Sequence, residues 1–193
     1  MVNKKLKISY IISSSEIGGT EKMLFLMLEK LDKDIFEEPV VFALKGKGKF
    51  TEELKKLKIK TYIFNFKKNP FLFFCFLKTL KKESPDIIHS FLFYGNLFGR
   101  ISGLLLKTRL VISSQRSIDV WRRWYHWKID RFTSVWTDII ISNSFAGKKV
   151  LLEKARIPEN KVIVIPNGID NIKKECNLNK TSFGLKDSDF LVG

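Results

Sequence analysis

Seven short apolar runs recur along this chain, at residues 7–12, 40–44, 60–66, 86–91, 110–114, 138–142 and 161–165, and the gaps between them hold stretches of helical character. Several runs (VVFAL, DIIHSF, KVIVI) are apolar on successive residues rather than on alternate ones. A strand patterned that way is covered on both faces. A helix in each gap supplies the crossover that parallel neighbours need, because a tight turn joins only antiparallel strands. The pattern predicts an α/β fold: a doubly wound, mostly parallel sheet with helices on both faces. Helices are expected at about residues 20–31, 50–57, 70–82, 95–106, 118–136 and 144–155. Pro70 suits a first helical position and Ser144 an N-cap, while Gly99, Ser102 and Gly103 suit close packing on the sheet.

The first passage from strand to helix, SYIISSSEIGGTEKMLFLMLEKL from Ser9 to Leu31, carries the clearest chemical hint. Three serines end the strand, and Gly18 and Gly19 let a ligand approach the main chain. Thr20 is the expected N-cap, and Glu21 lies where the helix dipole favours negative charge. Unpaired N–H groups at such a helix start form a site for phosphate. A tight turn without a ligand explains a lone Gly-Gly equally well. In doubly wound sheets, ligands bind beyond the carboxyl ends of the strands. Gly18, Gly19, His89, Arg116 and Asn143 end or follow expected strands, so they gather on one edge.

Length and charge narrow the function classes. A chain of 193 residues builds one good core and is short for two full domains. The longest apolar run, residues 71–77, is far too short to span a bilayer, and no secretory signal is visible. Cys75 and Cys176 make neither a disulfide framework nor a metal site, which fits a reducing cytoplasm. The net charge of +15 points to an anionic partner, although lysines spread along the chain also serve as plain solubilising surface. No nucleic-acid-binding motif accompanies the charge, so no nucleic-acid partner is expected.

All four tryptophans, Trp121, Trp124, Trp127 and Trp136, fall in one expected helix, interleaved with Arg122, Arg123, His126, Lys128 and Arg131. Trp121, Tyr125, Phe132 and Trp136 share a helical spacing that suits the core. That leaves Trp124 and Trp127, with Arg122 and Arg123, for contact with an anionic membrane surface. Residues 71–82, aromatic first and lysine-rich after, are a second candidate. Core packing is the competing explanation for both helices.

Taken with the fold, two stretches resemble the family 4 glycosyltransferases, which have GT-B architecture. IGGTEK after the first strand is similar to that family's glycine loop, and VIVIPNGID at Val162–Asp170 to the hinge signature that closes its N-terminal domain. Between them, SPDIIHSFLFYGNLFGRISGLL resembles the family's fourth strand and helix, and IIISNSFAGKKVLL its sixth. The resemblance covers about residues 4–170. It implies a Rossmann-like half of a GT-B fold that mainly binds the acceptor and faces a donor-binding half across a cleft. Transfer would run from a nucleotide-sugar to a hydroxyl acceptor, with retention and without a metal or other cofactor. Surface polysaccharide, glycolipid or lipid-linked glycan synthesis at the inner face of the membrane is the implied setting. Residues 1–170 read as the acceptor-side domain, and 171–193 as a linker with the first residues of a missing donor-binding domain. The isolated chain is therefore expected to be inactive. The alternative is a non-catalytic half that binds acceptor or docks a separate donor-binding subunit.

The resemblance also distributes roles. It assigns the amides of Gly18 and Gly19 to the donor diphosphate, whose leaving charge they would stabilise. His89, Arg116, Asp119 and Asn143 fall to the acceptor side of the cleft, and Pro166, Asn167 and Gly168 to the interdomain hinge. His89 could touch acceptor, move a proton or fill a structural place; a second histidine common in relatives is replaced here by Phe91. The planar fork of Arg116 suits a phosphate or carboxylate, and Asp119 either pairs with it or caps the next helix. No general base is assigned.

Overall fold

The computed structural model describes residues 4–117, 120–168 and 184. Among them seven strands, β1 (Ile8–Ile12), β2 (Val40–Ala43), β3 (Lys60–Ile63), β4 (Ile87–Phe91), β5 (Leu110–Gln115), β6 (Ile139–Ser142) and β7 (Val162–Val164), form one sheet in the order β3-β2-β1-β4-β5-β6-β7. Every pairing is parallel. The alternating helices are α1 (Gly19–Glu29), α2 (Lys49–Lys56), α3 (Leu72–Glu83), α4 (Phe93–Leu106), α5 (Trp124–Thr133) and α6 (Phe145–Glu153). The strand order reverses between β1 and β4, and that switch opens a crevice at the carboxyl edge.

Side chains alternate across each strand and so build two apolar layers. Tyr10, Ile12, Val41 and Phe91 pack with Leu24, Leu28, Phe50 and Leu54 of α1 and α2. Ile11, Phe42 and Ile88 pack on the opposite face with Phe76 and Leu80 of α3. The close approach of α4 needs its small residues. A Cβ on Gly99 would lie 2.7 Å from the Ser90 Cβ, and one on Gly103 would lie 2.3 Å from a methyl of Val111.

Beside α4 the interior turns polar. Arg100 is buried and ion-paired to Asp130 of α5. It also donates to Ser113 Oγ at 3.0 Å and Thr133 Oγ1 at 3.1 Å. Arg122 reaches the same carboxylate at 2.8 Å and donates to Gln115 Oε1 at 2.9 Å. Charges this deep persist only when paired and hydrogen-bonded.

Several local expectations give way. The helix expected over 118–136 begins at Trp124 and ends at Thr133, followed by a 3-10 turn over Ser134–Trp136. Its buried stripe is His126, Trp127, Asp130 and Thr133, whereas Trp121, Tyr125 and Phe132 are exposed. Arg100 and Arg122 fix Asp130 inward, and that choice rotates the aromatic face outward. The helix placed at Pro70 starts at Leu72, because Asn69 Oδ1 accepts the Phe71 N–H in a preceding turn. Ser144 caps α6 as expected, accepting the Gly147 N–H at 3.0 Å. Apart from Gly184, the expected linker at 171–193 lies outside the described residues.

Candidate functional site

The glycine loop is fixed from two sides. The Phe50 N–H donates to the Ser15 carbonyl at 3.1 Å, drawing the start of α2 onto the loop. Gly48 makes this contact possible, since a Cβ there would fall 2.2 Å from the Ser15 oxygen. From the other side the buried Glu21 carboxylate accepts the Gly18 N–H at 2.9 Å. Gly18, not Thr20, is therefore the N-cap, because Glu21 in the first turn reaches back to it. Glu21 thus does more than complement the dipole: it occupies an amide expected to meet phosphate. Gly19 is open, with nothing within 4 Å of where a Cβ would stand.

His89 ends up 4% exposed on the face it shares with Tyr10 and Phe91. Its Nε2 pairs with Ser114 Oγ at 2.8 Å, and its ring stacks on Phe91 at 4.4 Å. Burial, and then the charge of Arg116, push its pKa down to about 3. A ring held that way is neutral at pH 7 and carries protons poorly, so the geometry favours the structural role. The neighbouring Leu92, which leads into α4, has φ 65° and ψ 163°. Such backbone strain in a side-chain-bearing residue is found where surrounding structure over-determines it, often at ligand sites.

Arg116 lies just past β5 and is half-buried, and burial lowers its pKa from the usual arginine value. One guanidinium nitrogen is buried without a hydrogen-bond partner among the described residues. Asn143, just past β6, donates to the Arg116 carbonyl at 3.0 Å and so holds that loop. The structure thus brings His89, Arg116 and Asn143 together beside the β1 crevice. Asp119 lies outside the described residues. Pro166, Asn167 and Gly168 are exposed beyond the last strand.

The tryptophan helix divides. Trp124 is 69% exposed, with the Lys128 ammonium 4.7 Å from its ring, and Arg123 is exposed. Trp127 is only 8% exposed and Arg122 is buried. The last two are spent on the interior, which withdraws them from any membrane surface. Among the described residues, no group of three or more His, Cys, Asp or Glu side chains is placed to hold a metal ion. No described helix is long and apolar enough to cross a membrane.

Sequence reasoning missed Ser114 as the partner of His89 and the pairing of Arg100, Asp130 and Arg122. A signal existed for the latter: Arg100 is the one cation in FYGNLFGRISGLLL, one residue after a glycine of the packing face.

A parallel sheet of this order, with a helix-opening glycine loop at its switch edge, is one Rossmann-like half of a GT-B architecture. Glycosyltransferase Family 4 matches residues 17–171, more than half of the chain, and the chain belongs to that family. Among solved structures, Anabaena Alr3699/HepE in complex with UDP superposes with a TM-score of 0.73 at 18% identity, covering 86% of this chain and 45% of that one. The lipopolysaccharide outer core galactosyltransferase WaaB superposes with a TM-score of 0.59 at 21% identity, covering 85% and 46%. The UDP-GlcNAc 2-epimerase of Neisseria meningitidis, bound to UDP-GlcNAc, gives 0.58 at 18% identity, covering 84% and 46%. At these identities the likeness is one of fold, and the epimerase shows the same half-fold in a protein of different activity. The chain spans about half the length of these proteins. No curated protein sequence matches it.

Proposed function

We propose that this chain is the acceptor-side half of a retaining glycosyltransferase, which passes a sugar from a nucleotide-sugar to a hydroxyl acceptor in surface polysaccharide, glycolipid or lipid-linked glycan synthesis. The observation that carries this reading is the family match, which runs through the glycine loop and the crevice-edge residues. Relatives of the same half-fold solved with UDP or UDP-GlcNAc support a nucleotide-sugar donor. Gly19 offers the open amide at the helix start for a donor phosphate. Arg116 supplies a fixed positive charge with an unused donor for an anionic group in the cleft. His89 shapes the wall, Asn143 sets the Arg116 loop, and Pro166–Gly168 act as the interdomain hinge. Trp124 and Arg123 face an anionic surface near the inner membrane.

One observation favours the second reading, a non-catalytic half that docks a separate donor-binding subunit. Ile163 and Ile165 are exposed at the β7 edge, beside the partly covered Ile141, where a parallel sheet is normally covered.

The test is sugar transfer by the product of the whole reading frame, with UDP-glucose, UDP-galactose and UDP-GlcNAc offered against a cell-envelope lipid extract. Transfer that falls roughly a hundredfold in Arg116→Ala supports the reading, on the scale of removing one donor to transition-state charge. No transfer from any nucleotide-sugar, together with a stable complex with another chain, moves the assignment to the docking half.

A further inference from the structure

Away from the glycine loop, a groove of about 440 Å³ opens at the carboxyl ends of β1, β2 and β3. Leu44, Phe66, Pro70, Tyr94 and Phe98 make its apolar wall, and Ser13, Lys45 and Lys67 its polar points. The β2–β3 pairing runs on past the regular strands and builds the rim. The Phe64 N–H donates to the Ala43 carbonyl at 2.8 Å and the Gly46 N–H to the Phe64 carbonyl at 2.7 Å, with Lys45 bridged to Asn65. That continuation keeps the segments bearing Lys45 and Lys67 side by side. Phe66 stacks on Phe98 of α4 at 4.6 Å, giving the groove a flat aromatic floor. The ion pairs among the described residues involve neither lysine.

Just beyond Pro70, Phe71 is 76% exposed and Phe74 is 70% exposed. They lie three residues apart at the start of α3, so they project together. Lys67 and Lys68 precede them, both exposed. Large aromatics at the tip of a lysine-bearing edge have little to gain in water and much to gain at a bilayer interface. The inner end of the groove, Ser13 and Tyr94, is continuous in sequence with the loop after β1 and the chain after β4. One end of the groove therefore adjoins the crevice and the other adjoins exposed aromatic surface.

We propose that this groove holds an anionic membrane lipid. Its phosphate lies against Lys45 and Lys67, the first part of its apolar chain lies over Phe66 and Phe98, and Phe71 and Phe74 enter the bilayer surface where the lipid resides. Taking this lipid as the sugar acceptor rests on the glycosyltransferase reading; the binding itself does not.

The experiment uses the 193-residue chain. Calorimetric titration with octyl phosphate is compared with inorganic phosphate and with octanol. Saturable binding of octyl phosphate is expected, roughly tenfold or more above either fragment, since a charged head and an apolar chain contribute together. Lys45→Glu combined with Lys67→Glu abolishes it. On phosphatidylcholine vesicles containing phosphatidylglycerol, Phe71→Ser with Phe74→Ser lowers partitioning by roughly tenfold, while Leu57→Ser, exposed past the end of α2 at the amino edge of the sheet, leaves it unchanged. All these side chains are exposed, and circular dichroism confirms that each variant keeps its fold. Inorganic phosphate binding as tightly as octyl phosphate, no saturable binding, or wild-type partitioning by the Phe71/Phe74 variant overturns the inference. An equal loss of partitioning in Leu57→Ser does so too. If the inference fails while the whole reading frame still transfers sugar, only the lipid groove is lost.

Discussion

The two sides of the sheet are held by different physics. From β3 to β4 the interior is apolar, with Tyr10, Ile11, Phe42, Phe76 and Leu80 almost fully withdrawn from water. From β5 onward the space under α4 and α5 is filled by Arg100, Asp130, Arg122, Ser113 and Thr137, joined by hydrogen bonds. An apolar layer tolerates small errors in shape and grades its losses by volume. A charged cluster is all or nothing, because a missing partner leaves a buried charge unanswered.

Breaking that contrast begins with Asp130→Ala, which removes the carboxylate shared by two buried guanidinium groups. A loss of about 3–5 kcal/mol is expected in urea unfolding. Replacing Arg100, Asp130 and Arg122 together by Met, Leu and Met sharpens the point, since the triple variant should be more stable than the single one. A single variant that unfolds like wild type would sink the distinction. On the apolar side, Leu80→Ala should cost about 3 kcal/mol by the same measurement, as a cavity forms among Phe42, Phe76 and Ile88.

At pH 7 the smallest effect lies at the boundary between the halves, and it grows only on acidification. The folded-state pKa of His89, pushed down to about 3, is below its unfolded value of 6.5. Between those values the unfolded chain binds a proton that the folded chain refuses. The stabilisation is thus complete above pH 6.5 and is lost as the pH falls toward 3, by about 1.4 kcal/mol per pH unit. His89→Gln should flatten this slope in unfolding curves taken from pH 7 to pH 4. An unchanged slope would assign the acid sensitivity to other groups.

The same contrast explains what could be read from the sequence. Unbroken runs such as VVFAL and KVIVI announced parallel strands, and the sheet has those strands in a doubly wound order. The edge that gathers the glycine loop, Arg116 and Asn143 followed from that order alone. Periodicity failed at residues 118–136, where it sent the wrong aromatic face inward. The residue that orients that helix is a carboxylate, and hydrophobic spacing gives it no weight. The pairing of His89 with Ser114 was equally out of reach, because it depends on the register of β4 against β5. The divided fate of Trp124 and Trp127 followed from the helix's rotation rather than from their chemistry.

The contact between Glu21 and the Gly18 amide has a consequence for timing. The loop carries its own stand-in for an anion, so it keeps a receptive shape when empty and little ordering entropy remains to be lost on capture. In the proposed donor-binding role, the same carboxylate competes with a phosphate for the Gly18 amide and repels it. The residue at 21 therefore sets an exchange between readiness and grip. A loop built this way is suited to a substrate that must be held briefly and then let go.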